Sequence, residues 1–208
     1  MSATLRLYSD FVCPFCFVAE QSTVPRLLEE FDLEIDWRGF PLHPRTPKGG
    51  MPLAALFGEA RIPAVKEHLK QFAARFGVTG IVHPERLPNT RRVLAMAEHA
   101  RAEGKLEAFR RAGMEAHWRG GNFLETDEDL SAVAESVGLD AESALAAADS
   151  PRFQAEVDRK LAEAASDGVT GIPTFFIGDE AVVGCQPYEV LAAAAERAGA
   201  KRRAPRPG

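Results

Sequence analysis

TLRLYSDFVCPFC, residues 4–16, decides how the chain is read. TLRLYS alternates and predicts a β-strand, and Cys13-Pro14-Phe15-Cys16 stands where that strand ends and a helix begins. The helix is expected from about Cys13 to Phe31, with Phe17, Val24, Leu27, Leu28 and Phe31 along one side and Pro25 as a kink or break. LEIDWRGFPL, residues 33–42, alternates again through Leu33, Ile35 and Trp37 and predicts a second strand. Strand, helix and strand with so long a crossover imply parallel pairing and a right-handed connection.

Beyond Pro41 the pattern changes. HPRTPKGGMP, residues 43–52, is rich in Pro and Gly and reads as a loop. Helices are then expected at 61–76, 89–103, 105–118, 127–137, 141–148 and 151–166. Asn89-Thr90 and Thr126-Asp127 offer N-caps, and Gly77, Gly104, Gly120 and Gly138 offer stops. After Gly168, TFFIG and EAVVG form a hairpin turning at Gly178-Asp179, and 187–199 is a last helix. The expected organisation is α/β: residues 1–42 plus 167–200 share a four-stranded sheet, 43–166 is an inserted all-helical domain, and 201–208 is a flexible basic tail.

Composition narrows the function classes. The chain has 208 residues, a formal net charge of −5, 46% hydrophobic and 26% charged residues. That suits a folded globule and not a disordered chain, and it lacks the basic footprint of nucleic-acid binding. No apolar run is long enough for a membrane span, and the N-terminus has no secretory pattern, so a cytoplasmic protein is expected. Three cysteines, Cys13, Cys16 and Cys185, cannot build a disulfide framework.

The cysteine pair carries the chemistry. A helix N-terminus leaves backbone N–H groups unpaired and positive, which stabilises a thiolate at Cys13. Pro14 fits a first helical turn. Residues three apart share a helix face, so Cys16 can close a disulfide with Cys13. Cys13 is expected to be the more exposed nucleophile and Cys16 the buried resolving thiol. Zinc needs about four ligands, and there is no second CxxC. His43, His68, His83, His99 and His117 show no ligand pairing, so no metal site is expected. Asp10 is read as a cap of the strand–helix turn in preference to a proton acceptor for Cys16. Gly171-Ile172-Pro173-Thr174 reads by itself as a strand start. The hairpin returns Cys185 opposite Pro173, where a small apolar residue is favoured over an accessory thiol. Met51, Leu53, Leu56 and Phe57 are read as ordinary packing of the insertion in preference to an apolar lid, and Arg91, Arg92, Arg110 and Arg111 as solvated helix faces.

YSDFVCPFCFVAE, residues 8–20, and GVTGIPTFFIGDEAVVGCQPYEVL, residues 168–191, with the helical block between them, resemble the DsbA-like branch of the thioredoxin superfamily, and within it the FrnE-like subgroup. The resemblance spans nearly the whole chain. It implies a thioredoxin fold interrupted by a helical domain, with a cis Ile172–Pro173 bond beside the two cysteines. It also implies a substrate groove lined by Pro14, Phe15 and the hairpin, where a partner chain hydrogen-bonds to the backbone of Ile172. Leu7 departs from relatives that carry an acid on the first strand.

The expected activity is therefore thiol–disulfide exchange through Cys13 and Cys16. No tightly bound cofactor is expected, with glutathione as a candidate co-substrate. The partner is a protein or small thiol carrying a disulfide or dithiol; neither nucleic acid nor membrane is involved, and the chain is a monomer or homodimer. The first alternative is a glutathione-dependent isomerase or transferase, because the 2-hydroxychromene-2-carboxylate isomerases and kappa-class glutathione transferases share the scaffold but use a serine near the position of Cys13. The second is a non-catalytic binding module.

Overall fold

A computed structural model describes residues 3–204. Strand β1 (Ala3–Ser9) runs parallel to β2 (Leu33–Gly39), with Leu5 opposite Ile35 and Leu7 opposite Trp37. On its other edge β1 pairs antiparallel with β5 (Thr174–Ile177), which turns back into β6 (Glu180–Val183). The sheet order is β2-β1-β5-β6. This places the end of the first strand, where the cysteine motif begins, in the middle of the sheet and beside the start of β5.

The crossover from β1 to β2 is two helices, α1 (Pro14–Gln21) and α2 (Thr23–Glu30), where one was expected. The break falls at Ser22, with φ −128° and ψ −76°, and not at Pro25. The Ser22 hydroxyl bonds back to the Val18 carbonyl at 2.6 Å and competes with the helical ladder. Pro25 sits in the first turn of α2, where its missing N–H breaks no intrahelical bond. Strand β2 stops at Gly39, short of the expected Leu42, as α5 (Arg91–Ala102) crosses it closely. A Cβ on Gly39 would lie 2.7 Å from the Leu94 side chain.

Between β2 and β5 the chain forms α3 (Leu53–Phe57), a 3-10 turn at Glu59–Arg61, α4 (Ile62–Arg75), α5, α6 (Leu106–Trp118), α7 (Asp127–Ser136), α8 (Ala141–Ala148) and α9 (Pro151–Ser166). A two-stranded ribbon, β3 (Met51–Pro52) with β4 (Arg86–Leu87), was not legible, because two residues per strand leave no alternation to read. Helix α5 is the hub, burying Val93 through Ala97 and Ala100 among its neighbours.

Phe11 joins the halves: its ring packs edge-on against Trp37 of β2 at 5.5 Å and Phe109 of α6 at 6.0 Å. Helix α10 (Tyr188–Arg197) packs on α2, with Arg26 stacked 3.6 Å over the Tyr188 ring. The tail departs from the flexible segment expected. Asp32 donates to the Lys201 carbonyl and Arg203 donates to the Glu30 carbonyl, each at 2.8 Å, so residues 201–203 lie along the end of α2. Residues 205–208 lie outside the described residues. Among the described residues no helix is long and apolar enough to cross a membrane.

Candidate active site

Cys13 is the N-cap of α1, with extended backbone at φ −82° and ψ 113°. Its sulfur accepts the N–H of Cys16 at 3.3 Å, so it lies at the positive end of the helix dipole. Pro14 takes the first helical position. The Cys13 thiol also donates to the Ile172 carbonyl at 3.7 Å, and the Ile172–Pro173 peptide that follows is cis. Gly184 N–H donates to the Pro173 carbonyl at 2.7 Å and closes the hairpin against the same turn. Three sequence segments, 10–16, 171–174 and 184–185, thereby meet at one corner of the sheet.

Both cysteines are buried, Cys13 at 1% exposure and Cys16 at 0%. The two still differ in access. Cys13 borders a cavity of about 340 Å³ together with Pro14 and Phe15, and Cys16 does not. The insertion supplies the covering, which a reading of the helix terminus alone could not include. Leu53, Leu56 and Phe57 of α3 and Val65 and Leu69 of α4 line this cavity, so the segment read as ordinary packing is its roof. Met51 is not part of that lining; it pairs with Leu87. Phe15 leans on Phe72 of α4, ring centroids 4.9 Å apart.

Beneath the pair lies a polar cluster. Burial, then the hydrogen bond and charge of Cys13, push the Cys16 thiol well above its ordinary value, while the Asp10 N–H and the Ser9 hydroxyl beside it pull it down. Ser9 in turn donates to Glu20 Oε1 at 2.8 Å, and Trp37 Nε1 donates to the same oxygen at 3.2 Å. The other Glu20 oxygen forms a buried ion pair with Arg110 of α6. Burial draws Arg110 down to about 10, so it keeps its proton at neutral pH and balances the carboxylate. The solvated reading of Arg110 is thus overturned. Arg92 also bridges, binding Asp127 at 2.7 Å and Asp149 at 2.8 Å. Ser9, Glu20 and Arg110 were missed as site residues. Glu20 carried a signal, lying one helical turn beyond Cys16, whereas Arg110 is distant in sequence and only the fold delivers it.

Asp10 does not cap α1, because Cys13 occupies that position. Its backbone carbonyl accepts the Cys13 N–H at 3.2 Å. Its fully buried carboxylate accepts from Leu42 N–H at 2.8 Å and from Thr90 Oγ1 at 3.2 Å, and its other oxygen has no partner. Burial lifts Asp10 to about 7 against the opposing hydrogen bonds of Leu42 and Thr90. Asp10 therefore ties the cysteine turn to the segment after β2 and to the start of α5.

Three histidines reach the cavity wall: His43, His83 and His117. Burial lowers all three, His117 to about 4. His117 Nδ1 bonds the Asn122 carbonyl at 2.8 Å, and its Nε2 is buried with no partner. Cys185 is half-buried and lines a different cleft, of about 610 Å³, with Thr23, Arg26 and Phe72. Burial, and secondly the charge of Cys13, push its thiol to about 12, which keeps it protonated and apolar in character. Among the described residues no three His, Cys, Asp or Glu side chains are grouped to hold a metal ion.

The chain is similar to known proteins over most of its length. A 2-hydroxychromene-2-carboxylate isomerase of Sphingobium xenophagum is 27% identical over 181 residues, 86% of this chain and 91% of the relative. Protein YwbO of Bacillus subtilis (strain 168), itself uncharacterised, is 26% identical over 196 residues, 92% of this chain and 94% of its own. The crystal structure of a probable DsbA oxidoreductase from Streptomyces coelicolor superposes with a TM-score of 0.83 at 28% identity, covering 95% of this chain and 90% of that one. The profile of the DSBA-like thioredoxin domain matches residues 4–196, and the chain belongs to that family.

Proposed function

We propose that the protein is a thiol–disulfide oxidoreductase in which Cys13 attacks and Cys16 resolves. The observation that carries this reading is the Cys13 sulfur, held as a helix N-cap by the Cys16 N–H and touching the Ile172 carbonyl beside Pro173. Cys13 attacks a substrate disulfide as the thiolate and forms a mixed disulfide. Cys16 lies one turn deeper and displaces the substrate sulfur, which requires it to lose a proton against burial. That proton passes through the Ser9 hydroxyl, which hands its own hydrogen to Glu20 Oε1 at 2.8 Å, so the carboxylate is the acceptor.

Single-turnover exchange by the reduced protein tests the reading. Cys13→Ser is expected to reduce exchange to the buffer rate, while Cys16→Ser retains the first step and accumulates a mixed disulfide on Cys13, seen by intact mass. Exchange that persists in Cys13→Ser would overturn it.

The relative from Sphingobium xenophagum favours a second reading, a glutathione-dependent isomerase or transferase. It predicts glutathione conjugation or isomerisation that survives in Cys13→Ser.

A further inference from the structure

We infer that the cavity over Cys13 admits a small, largely apolar organic disulfide or thiol, in preference to a polypeptide or glutathione. This rests on the oxidoreductase reading above and names its substrate class.

Access is the first argument. Cys13 is 1% exposed, so a substrate sulfur reaches it through the cavity it borders. At about 340 Å³ that space stands at the small end of ligand cavities, which run from about 300 to 1,000 Å³, and a second space of about 430 Å³ adjoins it along Pro14, Phe15, Phe57, Val65 and Leu69. Its roof is the apolar edge of α3, where Leu56 and Phe57 remain 38% and 36% exposed and form an apolar rim.

Chemistry of the wall is the second. Burial lowers the three histidines, so near neutral pH they are uncharged. Lys66 is the remaining basic group of this lining, an adjoining space that shares Pro14, Phe15, Phe57, Val65 and Leu69 adds Arg61 and His68, and neither lining contains an Asp or Glu. Glutathione carries two carboxylates and an ammonium, and the ammonium would be buried without an acidic partner. An extended polypeptide would need a row of backbone partners, yet the α3 and α4 part of the lining is Leu53, Leu56, Phe57, Val65 and Leu69, with Lys66 its one polar side chain. His117 Nε2 is an unpartnered acceptor on the same wall, suited to one N–H or O–H on an otherwise apolar ligand.

The step balances without a further reagent. Cys13 thiolate attacks one sulfur of R–S–S–R, forming Cys13–S–S–R and releasing R–S⁻. Cys16 gives up its proton, attacks the Cys13 sulfur and releases the second R–S⁻. The dithiol becomes the Cys13–Cys16 disulfide, the substrate gains two electrons, and two thiols leave once protonated.

The test is single-turnover oxidation of the reduced protein by 4,4′-dithiodipyridine, a neutral aromatic disulfide, by glutathione disulfide and by insulin. Each rate is divided by that of free cysteine with the same reagent, to cancel leaving-group chemistry. The expected enhancement is at least tenfold greater for the aromatic disulfide than for either of the others. Val65→Trp, which fills the cavity, should lower the aromatic-to-glutathione ratio at least tenfold. Leu56→Trp, at the half-exposed rim, gives the same direction should Val65→Trp fail to fold. Equal or greater enhancement with insulin or glutathione disulfide, or a ratio untouched by the folded variants, overturns the inference and leaves the oxidoreductase reading standing. No enhancement with any of the three overturns that reading itself.

Discussion

At the scale of single residues, the site joins groups that the sequence advertises to groups that it hides. Cys13 and Cys16 are legible because their spacing and their place at a helix start carry a physical meaning by themselves. Asp10 was visible as a polar group at the right distance, but its partners, Leu42 N–H and Thr90 Oγ1, come from elsewhere in the fold. Its burial has a measurable consequence. Asp10 is lifted from 3.8 to about 7, so between these pH values the native state holds a proton that the unfolded chain has released. The contribution of Asp10 is full below about pH 4, declines as pH rises, and is lost above about 7, at up to about 1.4 kcal/mol per pH unit. His117, lowered to about 4, tilts stability in the opposite sense, so Asp10 is isolated by difference. Denaturant unfolding from pH 4 to 8 should show Asp10→Asn gaining on the wild type as pH rises. A difference independent of pH would contradict the assignment.

At the scale of elements, periodicity located most of the helices to within a residue or two. It failed where a local contact overruled the pattern. The α1–α2 break follows the Ser22 hydroxyl and not the proline, and the β3–β4 ribbon is too short for any period to register. Close approaches are the other feature that patterning cannot show. Gly113 on α6 faces the Phe11 ring, and a Cβ there would lie 2.7 and 2.9 Å from two ring carbons. That ring is itself held between Trp37 and Phe109, so it has little room to yield. Gly113→Ala is expected to destabilise the fold by about 1–3 kcal/mol despite the better helix propensity of alanine. Urea midpoints decide the sign; a stabilised variant would show that α6 can shift away.

At the scale of the molecule, the expected division into a sheet domain and an inserted helical domain meets a single continuous core. Phe11 lies between β2 and α6, Glu20 of α1 pairs with Arg110 of α6, and Asp10 is bound by Thr90 at the start of α5. Buried contacts of this kind couple the parts far more strongly than exposed ion pairs do. Equilibrium unfolding should accordingly be one transition, with Trp37 and Trp118 fluorescence, far-ultraviolet circular dichroism and Cys16 alkylation coincident. Two separated transitions would mean that the insertion folds on its own. What the sequence alone determined was the order of elements and the dithiol at a helix start, because periodicity, turn residues and helix-end electrostatics act over a few neighbouring positions. What only the tertiary structure decided was the burial of Cys13, the roof above it and the Glu20–Arg110 pair beneath Cys16. Those depend on which distant segments pack against the motif, and no local pattern encodes that choice.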